Sequence, residues 1–162
     1  MIKEDRSIIL RRKLVAASIS GTIYAIILGF SIPNPFEDES FDSVLNYVYA
    51  SIGMIPVYMM YSFPAIVTYG VLTSALSEKV GEFISIKSGN SNAELIISLA
   101  LHMIFGLILL LFSLGAAVLY FVTDRILKRR NRNIKWYDAL TSLSIPVLTW
   151  FVTMGTVWIM EL

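Results

Sequence analysis

A chain of 162 residues would ordinarily fold as one soluble domain, but 56% of this one is hydrophobic, only 15% is charged, and its mean hydropathy is +0.70. Soluble domains carry roughly 45–50% apolar and about 25% charged residues, and a globule of this size has too little polar surface to enclose such an excess. The absence of cysteine excludes disulfides, thiolate metal sites and a cysteine nucleophile, whereas the net charge of +1 excludes nothing, because the charges are segregated along the chain.

Four stretches lack Asp, Glu, Lys and Arg: Leu14–Ile32, Val44–Leu76, Leu95–Thr123 and Ala139–Met160. A membrane crossing needs about 20 apolar residues for roughly 30 Å of hydrocarbon. The first stretch has that length. It follows Arg11-Arg12-Lys13, as a signal peptide would, but it exceeds the h-region of about 7–15 residues. No clear small-x-small cleavage site precedes Pro33-Asn34-Pro35, so a retained anchor is expected. Ala17, Gly21, Ala25 and Gly29 recur every fourth residue. They form a face on which another helix backbone can approach closely, within the chain or in a homo-oligomer. The connection that follows is acidic, with Glu37, Asp38, Glu39 and Asp42.

Val44–Leu76 would make a straight helix of about 50 Å. Pro56 and Pro64 lie inside it, and each removes a backbone donor and crowds the preceding turn. One long, kinked crossing is expected, with a re-entrant hairpin near Pro56–Pro64 as the rival. Tyr58, Tyr61 and Tyr69 lie near the middle, where each hydroxyl needs a partner; carbonyls freed by the prolines are the expected acceptors. The connection 77–93 is mixed in charge and ends in Ser88-Gly89-Asn90-Ser91-Asn92, a turn followed by a helix cap.

Leu95–Thr123 reads as one crossing with some overhang, its ends marked by Glu94 and Asp124. It holds the single histidine, His102, with Ser98 and Gly106 at four-residue spacing. An ionisable residue at such depth is a functional candidate. With no carboxylate in any stretch, interhelical hydrogen bonding is the expected role. His102, Ser98 and Tyr61 are the candidate intramembrane polar site. Arg125, Lys128, Arg129, Arg130 and Arg132 follow, a cluster of the kind that attracts anionic lipid headgroups with about 1 kcal/mol per residue. Trp136 and Trp158 bracket the last stretch, about 33 Å apart along a helix, and read as interfacial anchors. Pro146 is expected to kink it.

Continuous apolar runs without alternation are helices rather than barrel strands. The expected fold is an all-α, polytopic transmembrane bundle of four membrane helices, the second long and Pro-kinked. Two rules conflict over its orientation. Lys and Arg favour the cytoplasmic side, yet four crossings leave seven basic residues inside against six outside. A hairpin in the second stretch would instead place eleven inside against two.

No HExxH, GxSxG or glycine-rich phosphate loop occurs, so no catalytic, metal or cofactor site is expected. Nucleic acid is not an expected partner, because no folded module accompanies the basic cluster. The chain is expected to be a non-enzymatic multi-pass protein of the plasma membrane, seated in the lipid bilayer and acting by helix packing with itself or a membrane-protein partner. The alternative is a small oligomeric transporter or channel subunit. Tyr61-Ser62-Phe63-Pro64, Tyr69-Gly70 and Ser98-Leu99-Ala100-Leu101-His102-Met103-Ile104-Phe105-Gly106 resemble an uncharacterised family of small four-span membrane proteins of bacillus-type bacteria, over most of the chain. The resemblance implies a plasma-membrane protein with four helices and assigns no activity and no site residue.

Overall fold

The computed structural model describes residues 6–36, 41–108, 111–130 and 134–160, and every regular element among them is helical. Helix α1 (Arg6–Ser31) starts well before the apolar run, so Arg11, Arg12 and Lys13 are helical residues. Helix α2 (Val44–Ala65) begins where the Ser43 hydroxyl accepts the Asn46 N–H at 3.1 Å, one of the donors a helix start leaves unpaired. Pro64 cannot donate to the carbonyl four residues back. The helix answers by widening into a π-turn segment, Ile66–Gly70, before resuming as α3 (Val71–Ser88). The Thr68 hydroxyl donates to the Pro64 carbonyl at 2.7 Å. Val44–Ser88 is thus one continuous, bent helix of 45 residues, and no hairpin forms at Pro56–Pro64. It stops at Gly89, whose φ of +67° is the left-handed conformation that closes helices and suits glycine.

Helix α4 (Ser91–Ile108) folds back along α3, with the Asn90 side chain accepting the Asn92 N–H at 2.9 Å. The two run close: a Cβ on Gly81 would sit 2.8 Å from the Glu94 carbonyl oxygen. Helix α5 (Leu111–Arg129) then folds back along α4. The pairing runs in opposite directions along the two arms. Glu94 meets Arg125 and Lys128, His102 meets Tyr120 and Phe121, and Gly106 meets Ser113 and Ala117. Leu95–Thr123, expected to be one crossing, is therefore a helical hairpin. Residues 109–110, between the two arms, lie outside the described residues.

Helices α6 (Trp136–Ser142) and α7 (Ser144–Met160) are offset at Leu143, one turn before Pro146. They pack on α1 through Ser142 and Ser18, whose hydroxyls lie 3.2 Å apart, and on α2 through Val157 against Gly53. Among the described residues, three helices are long and apolar enough to cross a membrane: Ser7–Ser31, Val44–Ser88 and Trp136–Met160. The expectation of four crossings becomes three such helices and a hairpin.

The small-residue face of α1 is used within the chain. Ala17 and Ala25 are fully buried, and Gly21 lies against Phe63 and Ile66. A Cβ on Gly29 would come 2.6 Å from the Ile55 side chain and 2.8 Å from the Ser51 carbonyl oxygen. Two clusters fill the interior: Ala16, Ala17, Tyr24, Ile66, Val71, Ala116 and Tyr120, and then Ala25, Ile55 and Met59.

Backbone this close to a glycine cannot give way cheaply. Gly29→Ala and Gly81→Ala should each destabilise the protein by about 1–3 kcal/mol. At Gly155 nothing lies within 4 Å of an added Cβ, and Gly155→Ala should be neutral or slightly stabilising. Thermal midpoints of the three purified variants in detergent check this; equal midpoints would contradict the packing described.

Candidate functional site

Charges within a packed apolar bundle must find partners, and here they find one another. Arg12 and Lys13 come from α1, Glu78 from α3, Glu94 from α4, and Asp124, Arg125 and Lys128 from α5. Arg12 donates to Glu78 at 2.7 Å and to Asp124 at 2.9 Å. Lys13 reaches the same two carboxylates at 2.9 and 3.0 Å and donates to the Ser74 hydroxyl at 2.7 Å. Lys128 joins Glu78 at 2.7 Å to Glu94 at 2.9 Å, and Arg125 donates to Glu94 at 2.8 Å. Arg12, Lys13, Glu78 and Asp124 are each at most 5% exposed. Burial alone would raise the Glu94 carboxyl, but hydrogen bonds and charge from Lys128 and Arg125 overcome it and hold the group below its ordinary 4.5.

Each member sits at or within a few residues of the edge of a charge-free stretch: Lys13 before Leu14, Glu78 after Leu76, Glu94 before Leu95, Asp124 after Thr123. That is the signal by which the sequence could have disclosed the network. It was hidden because Arg12 and Lys13 also read as orientation signals and Glu78 as part of a loop.

Above this network lies a cavity of about 740 Å³, mainly apolar, bounded by α1, the long helix and the α4–α5 hairpin. It extends from Tyr58 to Thr73, about 22 Å of helix at 1.5 Å per residue. Its closed end is formed by Thr73, His102 and Tyr120, all nearly fully buried; Pro35, Tyr61 and Phe112, all exposed, mark its opening. The π-turn segment turns Ile66, Tyr69 and Gly70 into the wall.

The wall hydroxyls satisfy helix ends. The last four carbonyls of a helix lack an intrahelical donor, and two of those on α4 are filled by side chains. Tyr69 donates to the Phe105 carbonyl at 3.1 Å, and Ser113 donates to the Gly106 carbonyl. Tyr24 donates to the Phe112 carbonyl at the start of α5. Tyr58 donates to the Ile32 carbonyl at 2.8 Å and Tyr47 to the Phe30 carbonyl, both at the end of α1. Tyr58 and Tyr69 thus bond helix-terminal carbonyls, not the carbonyls freed by proline that the sequence led us to expect. The Ser62 hydroxyl, also in the wall, is buried and has no partner among the described residues.

Of the expected polar site, His102 and Tyr61 line the same cavity at opposite ends, while Ser98 is buried and lies outside the lining. The His102 ring stacks on Tyr120 at 5.5 Å and 23° and touches Phe121 at 6.0 Å. Of the basic cluster expected to meet lipid headgroups, Arg125 and Lys128 are instead committed to Glu94 and Glu78. Arg129 and Arg130 are exposed, and Arg132 lies outside the described residues. Among the described residues no group of His, Asp and Glu is arranged to hold a metal ion.

Removing one partner from a buried ion network strands the others. Glu78→Gln, which faces three cations, should cost about 3–5 kcal/mol, whereas Arg129→Gln should leave the thermal midpoint unchanged. The depressed Glu94 carboxyl adds stability that is complete above about pH 5 and lost as pH falls through its folded value. Glu94→Gln should therefore lessen destabilisation between about pH 5 and 3. An acid limb of unfolding identical in that variant would show that Glu94 is not paired in solution.

Family models, curated proteins and solved structures yield no match to this chain.

Proposed function

We propose that this chain is a multi-pass protein of the plasma membrane that binds an apolar ligand in the cavity between α1, the long helix and the α4–α5 hairpin. The three long apolar helices cross, and the hairpin enters and leaves on the cytoplasmic side. Its charge-free arm Leu95–Ile108 reaches about 20 Å into a layer of roughly 30 Å. This topology reconciles the two rules that conflict in the sequence. The N-terminal tail, the 77–93 connection and the 124–138 connection share one face, and with them go all 13 lysines and arginines. The acidic connection lies on the other.

The cavity is the observation that carries the function. Its volume falls within the range of about 300–1,000 Å³ usual for small-molecule sites, and an apolar wall with a few placed polar groups is their usual composition. Its exposed lining at Tyr61 and Phe112 lies in the apolar zone of the bundle, so a ligand enters from the lipid rather than from water. The α1 face that had pointed to self-association is filled by α2, which leaves binding better supported than dimerisation. A transport subunit is the second reading, favoured by a hairpin of partial depth closing one end of a cavity that opens at the other.

A photoreactive single-chain lipid tests the proposal in protein reconstituted into nanodiscs. Crosslinking should saturate, concentrate on peptides bearing Tyr61, Ala65 and Ala117, and yield to unlabelled competitor. Ala65→Trp, which fills the cavity, should abolish it while the protein stays folded. Labelling that never saturates and falls equally on lipid-facing α7 would overturn the reading. Competitor flux into liposomes, lost together with binding in Ala65→Trp, would distinguish a transporter from a static binder.

A further inference from the structure

We propose that the closed end of the cavity recognises the neutral polar head of a long-chain ligand, a hydroxyl or carbonyl on an otherwise apolar molecule, and that His102 is the group that binds it. The inference rests on the binding reading above and supplies its ligand class.

Three observations converge on His102. It lines the cavity at the closed end and is only 3% exposed. Among the described residues its ring has aromatic neighbours, Tyr120 and Phe121, but no hydrogen-bond partner. Buried imidazoles are otherwise paired, because an unmet polar group in an apolar setting costs on the order of 1–3 kcal/mol. Tyr120 presents its ring face to the imidazole, and its hydroxyl donates to the Lys13 carbonyl at 3.1 Å. The ring is thereby braced and its nitrogens are left for something within the cavity. A neutral imidazole has one donor and one acceptor nitrogen, so it can donate to a carbonyl or serve a hydroxyl in either sense.

The surrounding charge selects a neutral head over an ionised one. The cations acting on His102, Lys13 and Arg125, are both held by carboxylates, Lys13 by Glu78 and Asp124 and Arg125 by Glu94. Among the described residues no Lys or Arg lines the cavity to repay the dehydration of a carboxylate or phosphate. Thr73, the other polar residue there, donates its hydroxyl to the Tyr69 carbonyl at 2.8 Å. His102 is therefore the recognising group, with the chain of the ligand extending past Tyr69 and Ala65 toward the opening.

The chain contains one histidine, so imidazole nitrogen resonances report on this site alone. Protein carrying ¹⁵N-histidine in nanodiscs is titrated with hexadecanol and, separately, with hexadecane. The alcohol should shift one imidazole nitrogen in a saturable manner and the alkane should not. In competition against the photoreactive lipid, the alcohol should outperform the alkane about three- to tenfold, as one neutral hydrogen bond allows. That preference should vanish in His102→Leu and persist in His102→Gln. The glutamine variant and the native spectra serve if the leucine variant fails to fold. Saturable lipid binding with no alcohol-specific shift, or a preference abolished by Ser62→Ala instead, would overturn this assignment and leave the binding function standing. Absence of saturable binding would overturn both.

Discussion

Charge that cannot be left unpaired in an apolar interior is the constraint on which the rest of this molecule depends. Arg12 and Lys13 are each bonded to Glu78 and Asp124, and Lys128 and Arg125 extend the network to Glu94. α1, α3, α4 and α5 must therefore meet at one level. Once Glu94 and Asp124 share that level, the apolar residues between them have to go out and come back. The hairpin follows from the pairing rather than from any break in the run Leu107-Ile108-Leu109-Leu110-Leu111-Phe112. An ion network of this kind is weak evidence for net stability, since desolvation offsets much of its attraction. Its consequence is register: any sliding of one helix against another would strand several charges at once.

In the proposed topology the hairpin ends inside an apolar layer, which creates a second constraint, because its terminal backbone groups have no water to turn to. The Tyr69 and Ser113 hydroxyls meet that need at the Phe105 and Gly106 carbonyls, and Tyr24 ties α1 to the start of α5 through the Phe112 carbonyl. The π-turn segment belongs to the same arrangement. It follows from Pro64, and it brings Tyr69 to the hairpin while widening the gap beside Gly70. The cavity is the space left between a bent long helix and an arm too short to fill the full depth. His102 sits where the two constraints meet, above paired charges and beneath an apolar channel.

Much of the helical content was legible in the sequence, because runs free of charge are long and the turn signal at Ser88-Gly89-Asn90 is strong. The close face of α1 was legible too, since Ala17, Gly21, Ala25 and Gly29 keep strict spacing and meet Phe63, Ile66, Ser51 and Ile55. The fold went astray at Leu95–Thr123, where length alone counted as one crossing and nothing local marks the turn. Prolines drew suspicion to Val44–Leu76 instead, and there the helix absorbs them by bending. The site was only half visible. His102 stood out as an intramembrane ionisable residue, but the partners below it come from sequence positions more than 60 residues apart. No local pattern encodes such a meeting. The near-equal split of basic residues that four crossings would leave was its one global trace.

Sidedness of three connections tests the central claim most directly, and the absence of native cysteine makes it accessible. Asp42→Cys, Lys87→Cys and Arg130→Cys would be probed singly in intact cells with a membrane-impermeant thiol reagent. The account predicts labelling at position 42 and protection at both 87 and 130, with all three labelled after permeabilisation. Labelling at 42 and 130 with protection at 87 would mean that Leu95–Thr123 crosses the membrane, and would contradict the paired-charge hairpin.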